Sequence, residues 1–145
     1  MGRDELDTLF KQYETAFNNL DLKTISEFYA DTFMSAGPKG VIAQDKKEFE
    51  EKAKQAVGFY RSVGHKSARI ISKRIMPICD NYTMVVVRWG VTFEKTGSKL
   101  IEFDISYIVY ESANNSPSII FFISHQDEEE AMEKLGLLNK KKEEV

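Results

Sequence analysis

An aspartate and a histidine on neighbouring strands are the residues of this sequence best suited to moving a proton. Residues 82–94, 99–110 and 118–125 read as successive strands, with turn signals at Thr96-Gly97 and Asn114-Asn115. Two-residue turns at both places set Trp89 opposite Asp104, Val87 opposite Ser106, and Asp104 opposite His125. Directly paired residues share a face of a sheet. Trp89, Asp104 and His125 are therefore expected to form one row across three strands. Val85, Val87, Val91, Ser106, Ile108, Phe121 and Ile123 fall on the same side. A face that is apolar with a few polar groups set into it has the composition of a ligand cavity. There a carboxylate beside an imidazole would fix its tautomer and raise its basicity, as in a general acid–base pair. The plainer alternative is a structural contact near a strand end.

The other side of the same strands carries Met84, Val86, Ile101, Phe103, Ile105, Tyr107, Val109, Ile120 and Phe122, with Arg88 the exception. A sheet apolar on both sides needs two covers. Helices supply one, and a second copy of the chain is the expected other, because monomers rarely expose so large a patch. A homodimer through the outer sheet face follows, with Arg88 available for a cross-subunit salt bridge.

The elements that must hold these residues can be read from periodicity. Leu6, Leu9, Phe10, Tyr13, Ala16, Phe17 and Leu20 keep helical spacing over four turns. Asp21 is placed to cap a second, shorter helix with Leu22, Ile25, Phe28 and Tyr29 on one stripe. A Gly-Pro loop, Ser35 to Gly40, separates two short extended pieces. Asp45 and Glu48 have the spacing of a capping box for a third helix striped with Phe49, Ala53, Ala56, Val57 and Tyr60, which Gly64 stops. From residue 66 the period becomes that of strands, 66–79 and then the three above, with a turn at Asp80-Asn81. Asp127 and the glutamates after it open a last short helix through Ala131, Met132 and Leu135. This order describes one α+β domain over residues 1–138, a curved antiparallel sheet around N-terminal helices, with a charged tail at 139–145.

Composition narrows the function classes. The chain has 145 residues, 42% of them hydrophobic and 30% charged, with a net charge of −3. Mild acidity argues against nucleic acid, which selects a concentrated basic face. The lone Cys79 and two histidines give no metal-ligand spacing, and Cys79 reads as a small apolar strand residue. No apolar run approaches the ~18 residues of a membrane span. The opening residues are charged where a signal peptide is apolar, so a cytoplasmic protein is the expectation. No cofactor is expected. His65, after Gly64, reads as a surface histidine.

The run Tyr13-Glu-Thr-Ala-Phe-Asn-Asn-Leu-Asp-Leu22, followed by Ile25, Phe28, Tyr29-Ala-Asp31 and Gly37-Pro38, resembles the opening of the nuclear-transport-factor-2-like superfamily. The ending, Ile119-Ile-Phe-Phe-Ile-Ser-His125 leading into a short helix, is similar as well. The resemblance covers nearly the whole chain and implies a cone-shaped α+β fold of the ketosteroid-isomerase and SnoaL kind. It implies that Tyr13 stands where the isomerases carry the tyrosine that donates to the substrate oxygen; its plainer reading is one member of a core stripe. The isomerases' general-base aspartate immediately before the loop proline is replaced here by Gly37, which argues against their reaction. Two functions stay open. One is a dimeric binding or interaction domain that holds a small apolar ligand in the cone, with Tyr13, Phe17, Trp89, Asp104, Ser106 and His125 lining it. The other is a cofactor-independent isomerase, lyase or cyclase working through Asp104, His125 and Tyr13.

Overall fold

The computed structural model describes residues 3–97 and 99–127; the final helix and tail expected from the sequence lie outside the described residues. Helix α1 spans Arg3–Asn18 and buries Leu6, Leu9, Phe10, Tyr13 and Ala16, the stripe its periodicity predicts. Helix α2 is one short element, Leu22–Glu27, whose N-cap Asp21 accepts from the Thr24 amide. Tyr29 is not part of it. The backbone is already extended there, and β1 runs Tyr29–Gly37 into β2, Gly40–Asp45. Helix α3, Lys46–Ser62, opens with both bonds of the expected capping box and ends before Gly64, which takes a positive φ of 79°.

Strands β3 (His65–Cys79), β4 (Tyr82–Phe93), β5 (Ile101–Ser112) and β6 (Asn115–Ser124) complete one six-stranded sheet in the order β2-β1-β6-β5-β4-β3. All neighbours are antiparallel except β1 and β6, which run parallel, so the sheet is mixed rather than wholly antiparallel. The fold is the α+β roll expected. Among the described residues no helix is long and apolar enough to cross a membrane. Cys79 closes β3 in an exposed position, not in the core.

The core lies between α1 and the sheet. Val85, Val87, Trp89, Val91 and Phe93 of β4 meet Ile101, Phe103, Ile105, Tyr107 and Val109 of β5 on this inner side, all buried. Strand β3 sits at the sheet margin, and the polar stripe of α1 lies along its free edge. The Ile70 amide donates to Glu14 Oε2 at 2.6 Å and the Ala68 amide to Asn18 Oδ1 at 3.0 Å. Lys73 pairs with Asp7 at 2.8 Å, and His65 Nε2 donates to the Asn18 carbonyl at 2.9 Å. His65 is thus half-buried against Tyr60 rather than free on the surface.

Candidate functional site: an apolar cleft beneath the third helix

The row Trp89–Asp104–His125 does not form. Val91 is the last β4 residue to pair with β5, opposite Ile101, so nine residues, 92–100, separate the two paired stretches, with a 3-10 turn at Glu94–Thr96. That odd length slips the register by one residue: Trp89 faces Phe103, and Asp104 faces Arg88. A one-residue slip turns a whole strand over. Phe103, Ile105, Tyr107 and Phe122, expected outside, therefore point at the helices, while Ser106, Ile108, Phe121 and Ile123 lie outside. A usable signal was present in the alternation. Odd-numbered residues of both β4 and β5 are the apolar set, and only the slipped register puts both sets on one side.

The β5–β6 pairing matches the expectation around the site, by another route. The turn is Ala113-Asn114, closed by Ser112 and Asn115, and two irregularities on the way restore the pairing of Ser106 with Ile123. Pro117, which lacks a ladder donor, sits in this irregular stretch. Asp104 and His125 are consequently neighbours, the His125 amide donating to the Asp104 carbonyl at 2.9 Å, but on the outer face.

Their side chains have separate partners. Arg88 grips the Asp104 carboxylate with two bonds, from Nε at 2.9 Å and from the guanidinium tip at 3.2 Å. The Asp104 amide donates to Gln126 Oε1 at 2.8 Å. His125 Nε2 and Ser106 Oγ lie 2.7 Å apart. Hydrogen bonding to Arg88 holds the Asp104 carboxyl below its ordinary 3.8, outweighing the opposing effect of partial burial. A lowered folded-state value means the pair's contribution to stability is present above the ordinary value and is lost as pH falls through the lowered one. In an NMR titration the Asp104 carboxyl should titrate below 3.8 and move upward in Arg88→Met; an unmoved midpoint would show that Arg88 is not its partner.

The interior of the cone is filled with rings. Tyr13 and Tyr29 share a hydroxyl–hydroxyl bond of 2.8 Å, and Trp89 Nε1 donates to the Tyr107 hydroxyl at 3.0 Å. Burial, with Tyr13 and Tyr107 close by, holds the Tyr29 phenol well above the ordinary 10.0. Phe10 lies 5.2 Å from Tyr107, centroid to centroid, and Tyr29 lies 5.9 Å from Phe122.

Space remains one layer outward. A cleft of about 210 Å³ opens between α1, α2 and α3, walled by rings (Tyr13, Phe17, Phe49, Tyr60) and by aliphatic side chains such as Leu20 and Val57. Helix α3 fully buries only Tyr60; Phe49 and Val57 of its stripe pack against the core and, with Ala53 and Ala56, also form one wall of this opening. Its alanines, Ala53 and Ala56, were the available sign that the stripe is too short to fill the gap. Of the six residues expected to line a cavity, Tyr13 and Phe17 do so. Trp89 stands behind them, 5.5 Å from Tyr13 and 5.0 Å from Phe17, fully buried. Asp104, Ser106 and His125 belong to the outer face. A wider, shallower groove of about 520 Å³ runs beside the β1–β2 hairpin, between Ile42 and Phe122, with Lys39 paired to Asp127 at 3.1 Å.

The sequence model of the NTF2-like protein family DUF6841 matches residues 4–127. This chain belongs to that family. Solved structures share the NTF2-like fold at low identity. An NTF-2-like protein of unknown function from Shewanella oneidensis superposes with a TM-score of 0.71 at 20% identity, over 87% of this chain and 100% of that one. One from Pseudomonas putida, also of unknown function, gives 0.70 at 10% identity, over 86% and 85%. A ketosteroid isomerase-like protein from Erwinia carotovora gives 0.57 at 16% identity, over 82% and 91%. No curated protein matches the sequence. At these identities the likeness is one of fold, and the function of this NTF2-like domain has to be argued from its own side chains.

Proposed function

We propose that this NTF2-like domain binds a small apolar molecule in the cleft beneath α3. The observation that carries the reading is the cleft itself: an apolar opening set against a sealed aromatic core, where every lining residue is uncharged. Its only ionisable lining groups are the phenols of Tyr13 and Tyr60, and Asp104 and His125 lie on the other side of the sheet. Binding is therefore better supported than acid–base catalysis as isomerase, lyase or cyclase. Phe17 borders the opening, so Phe17→Ala is expected to cost about 1–2 kcal/mol, clearly less than the 3–5 of a fully packed phenylalanine. A bound apolar compound should raise the Tm of the unmutated chain. A broad hydrophobic library that leaves Tm unmoved, with a Phe17→Ala loss of full core size, would mean the gap is merely imperfect packing.

Homodimerisation through the outer face belongs to the same proposal, with Met84 and Val86 kept from the expected set and the β5 and β6 residues exchanged. Met34, Met84, Val86, Ile108 and Phe121 form a half-buried apolar band there, flanked by exposed Met76 and Ile123. A band of this kind favours a second copy of itself, with the Arg88–Asp104 pair at its border. Sedimentation is expected to give dimers at tens of micromolar and monomers for Ile108→Lys. A monomeric unmutated chain at high micromolar concentration would remove the dimer. A cytoplasmic location completes the proposal and is compatible with an unpaired, exposed Cys79.

A further inference from the structure

We propose that the ligand of the cleft is an uncharged, flat aromatic molecule of one ring or two fused rings. This rests on the binding reading above and narrows it to a chemical class. Size sets the first limit. A cavity of about 150 Å³ lined by Leu, Ile and Phe takes up benzene, so one of about 210 Å³ suits a guest of roughly eight or nine non-hydrogen atoms by the same scaling. A four-ring skeleton or a long acyl chain exceeds it.

Shape sets the second limit. The rings of Phe17 and Tyr60 are near-parallel, 25° apart, with centroids at 5.9 Å. Tyr13 and Phe49 add further ring surface to the walls. Ring faces and edges favour a planar guest in offset or edge-on contact over a branched aliphatic one. Along α3 the small side chains of Ala53 and Ala56 leave the way in.

Charge sets the third. None of the lining residues carries a formal charge, and the Tyr13 hydroxyl is bonded to that of Tyr29 at 2.8 Å in buried surroundings. An ionised guest would give up its hydration with no opposite charge on the walls to replace it. The cleft therefore discriminates against carboxylates and ammonium groups of the same ring size.

The test is calorimetric titration of the full chain with indole and with indole-3-carboxylate, alongside proton–nitrogen spectra that follow the side-chain N–H of Trp89. Trp89 is the only tryptophan and packs on two residues that line the cleft. Indole is expected to bind at least tenfold more tightly than the carboxylate and to shift the Trp89 signal. Ala53→Trp, or Ala56→Trp at the exposed position if the first does not fold, should abolish both effects. Carboxylate binding equal to or tighter than indole overturns the proposal, as does indole binding that survives the blocking variants. Progesterone and palmitate separate the two levels of the argument. If either binds in a way the blocking variant abolishes while indole does not bind, the cleft is a ligand site of another class. If none of the four compounds binds or moves Tm, the binding reading falls with this one.

Discussion

Ile105→Lys is expected to leave the chain unfolded or insoluble, not merely monomeric. Ile105 is 8% exposed on the inner face of β5, paired with Val87 on one side and Ser124 on the other. Neither Val87 nor Ser124 offers an ammonium group there a counter-charge, and burying one unpaired costs on the order of 4–5 kcal/mol or more. Domains of this size are stable by about 5–15 kcal/mol in total, so the loss takes most or all of the reserve. Ile108→Lys, three residues further on and on the opposite face, is the control. It should keep a native far-UV circular dichroism spectrum and, compared at concentrations where both chains are monomeric, lose less than about 1 kcal/mol. Equal tolerance of both substitutions would show that the register of β4 on β5 is wrong.

Trp89→Ala is expected to cost about 3–5 kcal/mol, within the range for deleting a packed aromatic side chain. The ring is fully buried, and its neighbours Tyr13, Phe17 and Tyr107 come from a helix and an adjacent strand. Truncation hollows the place where α1 meets the sheet and also removes the donor to the Tyr107 hydroxyl. Trp89→Phe should recover much of the packing but not that bond, leaving a deficit of about 1–3 kcal/mol. Urea denaturation checks the series. A loss for Trp89→Ala no larger than for Phe17→Ala would place Trp89 at the cleft instead of behind it.

What was legible in the sequence was what is decided locally. The capping box of α3 needs only Asp45 and Glu48, and both of its bonds are present, at 3.2 and 2.8 Å. The stripe of α1 and the two-residue turn between β3 and β4 are equally short-range. The spacing of Tyr29 from Ile25 suits a helix, whereas pairing with Ile119 of β6, a distant residue, draws it into a strand. The same reason hid the parallel β1–β6 contact. The candidate site failed at one point, the length of the connection after β4. Turn residues at Thr96-Gly97 suggested a tight hairpin, yet the strands stop pairing earlier, and the burial of Phe103, Ile105 and Tyr107 decides the register. A cleft is harder still to foresee, since it depends on how far α3 stands from the sheet.

The carboxylate and amide side chains that α1 lays along β3 have a consequence for how the molecule behaves in a crowded solution. A strand at a sheet margin is a template on which another chain can continue the ladder. Here two of the backbone donors that such a chain would seek, at Ala68 and Ile70, are already taken by Asn18 and Glu14. Helix α1 is thus a stopper against open-ended growth as well as half of the core. A chain truncated before Asn19 would lose both at once: its exposed rings would drive collapse, and its uncovered margin would give the collapsed chains a direction in which to polymerise.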